Sequence, residues 1–206
     1  MKAQHRLLAL AIIAASFGAS AQTTMGTSTS TGYDASRPSW MPYTNNGYVG
    51  LNLGQPRYTT SCGAAPGLTC GNPHLATHLY AGGMFNSVLG GEIGYINMGR
   101  ADRAGGTTRA EGINLALVAQ VPATQAIGVF GKLGATYGHT TRSSAPAALL
   151  TGGGDNGWGP SIAAGVNWNF NNNWTAVLEW ERHRFNFGAG QRDYVRATSL
   201  GLKYRF

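Results

Sequence analysis

From Gly47 to Phe206 the chain repeats one device: short segments in which every second residue is apolar, separated by turn-forming residues. A period of two places the apolar residues on one face of an extended strand and the remainder on the other, and few stretches offer helical spacing. Eight such segments are present, at about 47–56, 75–85, 88–100, 109–121, 127–141, 157–170, 174–185 and 194–206. Their connections alternate in length. Asn86-Ser87, Pro122 to Gln125 and Asn171 to Asn173 are tight, whereas 57–74, 101–108, 142–156 and 186–193 are longer and rich in Gly, Pro, Arg and Asp. An even number of strands with short turns at one end and long loops at the other is the layout of a bacterial outer-membrane barrel. A soluble lipocalin-type barrel also has eight strands, so the character of the two faces has to decide.

In the last segment Leu200, Leu202, Tyr204 and Phe206 oppose Ser199, Gly201, Lys203 and Arg205. In 174–185, Trp174, Ala176, Leu178 and Trp180 oppose Thr175, Glu179, Glu181 and His183. One face is aliphatic with aromatics toward its ends, which suits lipid and its interfacial girdles. The other combines charges with so many of the chain's 31 glycines that it reads as the filling of a narrow interior, not a coat for water. The fold class expected is therefore all-β, an eight-stranded antiparallel up-and-down transmembrane barrel. No later stretch reaches the roughly 18 consecutive apolar residues of a membrane helix, and at 11% charged residues the chain is neither a disordered polyelectrolyte nor a coiled coil.

The first 46 residues differ in texture. Lys2, His5 and Arg6, the apolar run Leu7 to Phe17, and Ala19-Ser20-Ala21 form the three parts of a secretory signal peptide, which assigns 1–21 to a cleaved leader. Residues 22–46 are Ser/Thr/Gly/Pro-rich and are assigned to a flexible lead-in, leaving 47–206 as the barrel. Export agrees with the cysteines. Cys62 and Cys70, with seven residues between them, are expected to close a small disulfide loop, the alternatives being two free thiols or a metal pair. Loss of Lys2 and Arg6 lowers the net charge from +7 to +5, without the clustering that nucleic acid requires.

The ending Ser199-Leu200-Gly201-Leu202-Lys203-Tyr204-Arg205-Phe206 carries further information. It is similar to the signal read by the outer-membrane assembly machinery, with Leu202, Tyr204 and Phe206 as its hydrophobes, and it resembles the ending of the OmpA-like transmembrane-barrel family. Phe85 to Tyr95 followed by Gly99-Arg100, Phe130 to Ala135, and Ala164-Gly165-Val166 followed by Leu178-Glu179-Trp180 extend the resemblance over 47–206. It implies an outer-membrane location in a Gram-negative cell and lipid and lipopolysaccharide as surroundings. The chain stops at Phe206, so the peptidoglycan-binding domain of full-length members is expected to be absent. The family's interior quartet of two acidic and two basic residues, likened to a gate, is matched only by Glu92; Val118, Asn167 and Val177 stand at the other positions, and the gate is not carried over.

Parity places Glu92, Lys132, Glu179, Lys203 and Arg205 in the lumen, with Asn52, Asn114, Gln120 and Asn167. Pairs that fill and lock the lumen are the expectation, against a narrow water path. At the loop end Arg182, Arg184 and Arg196 fall on the outward parity above the lipid band, where their forks match lipopolysaccharide phosphates; the alternative is solvated charges paired with local acids.

Other motifs carry no chemistry. Gly152 to Gly157 fits G-x-G-x-x-G, yet leads into a strand where a dinucleotide site needs a helix. His183 lies two residues from Glu181 on one face, as an oriented base would, with no serine evidently beside it. His74 and His78, four apart on extended chain, do not converge on a metal. The expectation is a monomeric structural protein of the envelope, not an enzyme, with no cofactor or metal and an unspecified loop ligand. Alternatives are a low-conductance pore and a surface adhesin.

Overall fold

The computed structural model describes residues 36–59, 71–103, 106–143, 153–187 and 192–206; the leader, the start of the lead-in, and Cys62 and Cys70 lie outside them. Eight strands follow one another: β1 (Asn45–Tyr58), β2 (Ala76–Met84), β3 (Leu89–Arg103), β4 (Gly106–Pro122), β5 (Ile127–Ser143), β6 (Gly153–Asn169), β7 (Trp174–Asn186) and β8 (Arg192–Arg205). Each pairs antiparallel with the next, and β8 returns to β1, so the sheet closes on itself. The closing seam runs from Tyr48 opposite Arg205 to Tyr58 opposite Val195 without a register shift. Strands extend past the sequence-derived segments mainly at the loop end, because pairing continues there through polar and Gly-rich chain.

All three tight turns use the same local chemistry. The side-chain oxygens of Asn86, Thr124 and Asn171 each accept two backbone N–H groups, two and three residues ahead. Such side-chain turns need no backbone partner from elsewhere, which is why they are short.

The lead-in does not remain free as far as residue 46. Asn46 and Gly47 donate their backbone N–H to the carbonyls of Arg37 and Pro38, both at 3.1 Å. The Arg37 guanidinium donates to the Asn172 carbonyl at 3.0 Å, and Thr44 Oγ1 to Ser39 Oγ at 2.7 Å. Residues 36–46 are thus packed against the turn end. Polar hydrogen bonds hold this segment, so its low apolar content gave no hint of order.

The two faces divide as the alternation requires. Outward stand Leu51, Leu53, Leu115, Leu117, Leu133, Ile162, Leu178, Leu200 and Leu202, all exposed. Tyr137 and Trp158, directly opposite each other, stand toward the loop end with ring centroids 5.3 Å apart. Trp174, Tyr204 and Phe206 form a ladder at the turn end, with spacings of 5.0 and 5.7 Å. An aliphatic belt between aromatic girdles is the surface of a barrel that sits in lipid.

Inside, the lumen departs from a uniformly polar filling. Its loop-end half is an apolar cluster containing Ile96, Met98, Phe185 and Phe187, each no more than 1% exposed, together with Tyr58, Val195 and four alanines. Gly138 makes room for it: a Cβ there would fall 2.4 Å from the Phe185 ring. Because backbone on a closed barrel cannot yield, Gly138→Val should destabilise the barrel by about 1–3 kcal/mol. The urea midpoint of the refolded protein, followed by loss of the heat-shifted gel band, should fall accordingly. An unchanged midpoint would mean that the apolar cluster is not tightly packed.

Candidate functional site: the sealed lumen and the arginine rim

The mid-lumen is built around Lys132 of β5. Its Nζ lies 2.7 Å from Glu92 Oε1 on β3 and 3.0 Å from Glu179 Oε1 on β7. Asn52 Nδ2 donates to Glu179 Oε2 at 2.9 Å, and the Tyr48 hydroxyl to Glu92 Oε2 at 3.1 Å. The ammonium also sits 4.7 Å from the Tyr80 ring centre. Glu92, Lys132 and Glu179 are all buried, so each charge has a partner where water cannot supply one. Toward the turn end, Lys203 donates to Asn167 Oδ1 at 3.4 Å and packs over Tyr48, while Arg205, half-buried, reaches the Asn171 carbonyl at 3.5 Å.

One layer toward the loops lies a second buried group. His183 Nε2 is 3.0 Å from Glu181 Oε2, and its Nδ1 is 2.8 Å from Thr136 Oγ1. Asn114 donates to both Thr136 Oγ1 and Ser161 Oγ, at 2.9 and 2.7 Å. Hydroxyl, imidazole and carboxylate thus stand in the order of a nucleophilic triad. Thr136, His183 and Glu181 are at most 2% exposed, however, and Phe185 stacks near His183 at 6.3 Å as the start of the apolar cluster. Ser161 stands directly opposite His183 on β6, but its hydroxyl is engaged by Asn114. Thr136 has no local signature in the sequence because it arrives from β5, with β6 between it and β7.

The exterior of the loop end carries the other cluster. Arg196 on β8 is directly opposite Arg57 on β1 and Arg182 on β7, which sets three arginines in one row, with Arg184 beside them. Arg182 faces Ile162 on its other side, so the row borders the lipid-facing belt. Its guanidinium lies 3.7 Å from the centre of the Tyr194 ring, which it shares with Arg184 at 5.7 Å. Among the described residues none of these four has a carboxylate within 4.0 Å. Arg109, on the opposite wall, does: Glu111 is 2.8 Å away and also accepts from the Tyr95 hydroxyl. Arg57 was absent from the sequence-derived set because it fell in the 57–74 loop. Its parity with Leu51 and Leu53 was the available signal.

Comparison with known proteins decides the family. The family model described as OmpA-like transmembrane domain matches residues 42–206. The chain belongs to that family. Outer membrane protein A of Yersinia pseudotuberculosis is 29% identical over 184 residues, covering 80% of this chain and 50% of that protein. Outer membrane protein A of Salmonella typhi is 29% identical over 175 residues, covering 80% and 49%. The chain therefore spans about half the length of the curated relatives it matches. Among solved structures, Neisserial surface protein A superposes with a TM-score of 0.61 at 12% identity, over 78% of this chain and 97% of that one. Ail of Yersinia pestis gives 0.52 at 16% identity, over 78% and 98%. These two share the fold.

In this OmpA-like barrel, an outer-membrane protein by family, Glu92 has a basic partner from outside the expected quartet. Val118 and Val177 are buried lumen residues, and Asn167 receives Lys203. Removing the central cation leaves two buried carboxylates facing each other. Lys132→Met should therefore cost about 3–5 kcal/mol in urea unfolding followed by tryptophan fluorescence. Replacing Glu92 and Glu179 by Gln in the same chain should restore part of that loss. A loss below about 1 kcal/mol would mean that the charges are relaxed by water.

Proposed function

We propose that this chain is a closed, non-conducting and non-enzymatic barrel that stabilises the outer membrane by holding phosphate groups of outer-leaflet lipopolysaccharide on its arginine rim. The observation that carries the reading is the stacking inside the lumen. The Glu92–Lys132–Glu179 group is covered toward the loops by Ile96, Met98, Phe185 and Phe187, and toward the turns lie Tyr48, Met84 and the packed 36–46 segment. An apolar layer across a lumen this narrow opposes water and ions more strongly than a ring of charges does, because a hydrated ion gains nothing from it. The same layer covers the Thr136–His183–Glu181 group toward the loop-end solvent, and the strands wall it off from lipid, which favours a structural role for it over catalysis.

The rim supports the other half of the proposal. Like charges directly opposite on neighbouring strands repel, and among the described residues Arg57, Arg196 and Arg182 have no carboxylate within 4.0 Å to offset this. Phosphates of the outer leaflet would supply the missing charge in the planar geometry that guanidinium forks prefer. In this reading the leader 1–21 is removed on export, the assembly machinery reads Leu202, Tyr204 and Phe206, and the barrel works as a monomer.

Two measurements test it. In planar bilayers the refolded protein should be silent, and Phe185→Ala with Phe187→Ala should introduce small current steps; reproducible steps from the unaltered chain would sink the closed reading. Arg57→Gln, Arg182→Gln and Arg196→Gln together should weaken retention of lipopolysaccharide in mixed micelles about a hundredfold, at about 1 kcal/mol for each arginine. Arg109→Gln, whose charge Glu111 already offsets, should leave retention unchanged. Equal losses from both would reduce the effect to net charge.

A further inference from the structure

The second buried group contains an imbalance that packing does not explain. Glu181 is 2% exposed, and among the described residues its ion-pair partners are two imidazoles, His78 Nδ1 at 3.1 Å and His183 Nε2 at 3.0 Å. Lys132 is already shared between Glu92 and Glu179. Among the described residues these three buried carboxylates thus have one fixed cation in ion-pair distance of any of them, Lys132, and it does not reach Glu181. His78 is itself 2% exposed, yet neither of its ring nitrogens makes a hydrogen bond. Its Nδ1 faces Glu181 but lies off the line that a hydrogen bond requires.

His78 stands on β2 and the two carboxylates on β7, so the group converges across the lumen. One ligand atom from each of His78, Glu179 and Glu181 lies within 4.8 Å of the others. Small rotamer changes bring such a set to the spacing of a metal's inner ligands, whose bonds are about 2.0–2.2 Å long. Mixed imidazole and carboxylate donors suit zinc and its first-row neighbours, whereas calcium and magnesium prefer oxygen alone.

We propose that His78, Glu179 and Glu181 form a lumenal site for a divalent first-row transition metal, Zn2+ being the probe of choice, with His183 holding Glu181 from its other side. A divalent ion offsets the two negative charges that Lys132 leaves uncompensated while both imidazoles remain neutral. Thr136 serves as the positioning residue. Its Oγ1 lies 2.8 Å from His183 Nδ1 and can donate to it, which leaves the Nε2 proton for Glu181 Oε2 and fixes that carboxylate in place. Asn114 holds Thr136 in place from behind at 2.9 Å. Phe185 covers the site, so the ion enters as the barrel closes.

The experiment refolds the untagged protein into detergent with chelator or with equimolar zinc, followed by a chelator wash and elemental analysis. About one zinc per chain is expected on the heat-shifting, folded band. His78→Gln and Glu181→Gln should lose it, and Thr136→Val should weaken it about tenfold. His74→Gln with His139→Gln, and Cys62→Ser with Cys70→Ser, should keep it. Folded unaltered protein that retains no zinc overturns the site, and so does retention that survives both His78→Gln and Glu181→Gln. If Glu181→Gln fails to fold, His78→Gln and the unaltered stoichiometry decide.

Discussion

The pairing of β1 with β8 is the contact on which the rest of this molecule depends. In lipid an open sheet edge would leave a row of backbone groups without partners, at several kcal/mol each, so closure is what allows the strands to stay in the membrane at all. Closure at eight strands also fixes the radius of the lumen, and at this radius side chains fill the space. Each inward residue must then find its partner on another inward residue. Lys132 between Glu92 and Glu179 follows from that confinement: two strands that are neighbours of neither β5 nor each other place their carboxylates within 3.0 Å of its ammonium.

Confinement also explains why the lumen is layered. A buried charge is tolerated only where opposite charge and hydrogen bonds surround it, so the ionic residues gather into one zone. Beyond His183 the same inward parity of β7 continues as Phe185 and Phe187, and an apolar core replaces the network. Gly138 on β5 leaves the volume that Phe185 takes. Such exchange of large for small across the lumen keeps the ring of strands regular while its contents vary.

Much of this was legible in the sequence and some was not, for identifiable reasons. Alternation needs only one strand to be read, so strand number, the three tight turns and the inward parity of Glu92, Lys132 and Glu179 were accessible. Partnership needs the register of strands far apart in sequence. The convergence of His78 with Glu181, or of Thr136 with His183, has no local signature. Phe185 shares the inward parity of Glu181 and His183, but nothing local tells a lumenal aromatic from one in the lipid girdle, and Phe187 lies past the segment's end at 185. Arg57 was hidden by a strand that runs on to Tyr58, through a stretch whose proline and arginine read as loop. Residues 36–46 were read as free chain because their order rests on hydrogen bonds, which leave no mark on hydropathy.

The same residue chemistry has opposite consequences on the two faces of this wall. Inside, a charge without a partner would cost several kcal/mol, so Lys132 is paired and Lys203 lies over an aromatic ring against a side-chain amide. At the outer rim, Arg57, Arg182 and Arg196 stand side by side, where water and salt screen their repulsion. An uncompensated row is stable there only as long as the surroundings supply negative charge. Sequence changes that added acids beside the row, as Glu111 stands beside Arg109, would gain stability in isolation and, under the proposed function, weaken the hold on lipopolysaccharide. Under that proposal selection would keep acids away from the row, whereas on the opposite wall Arg109 has one beside it.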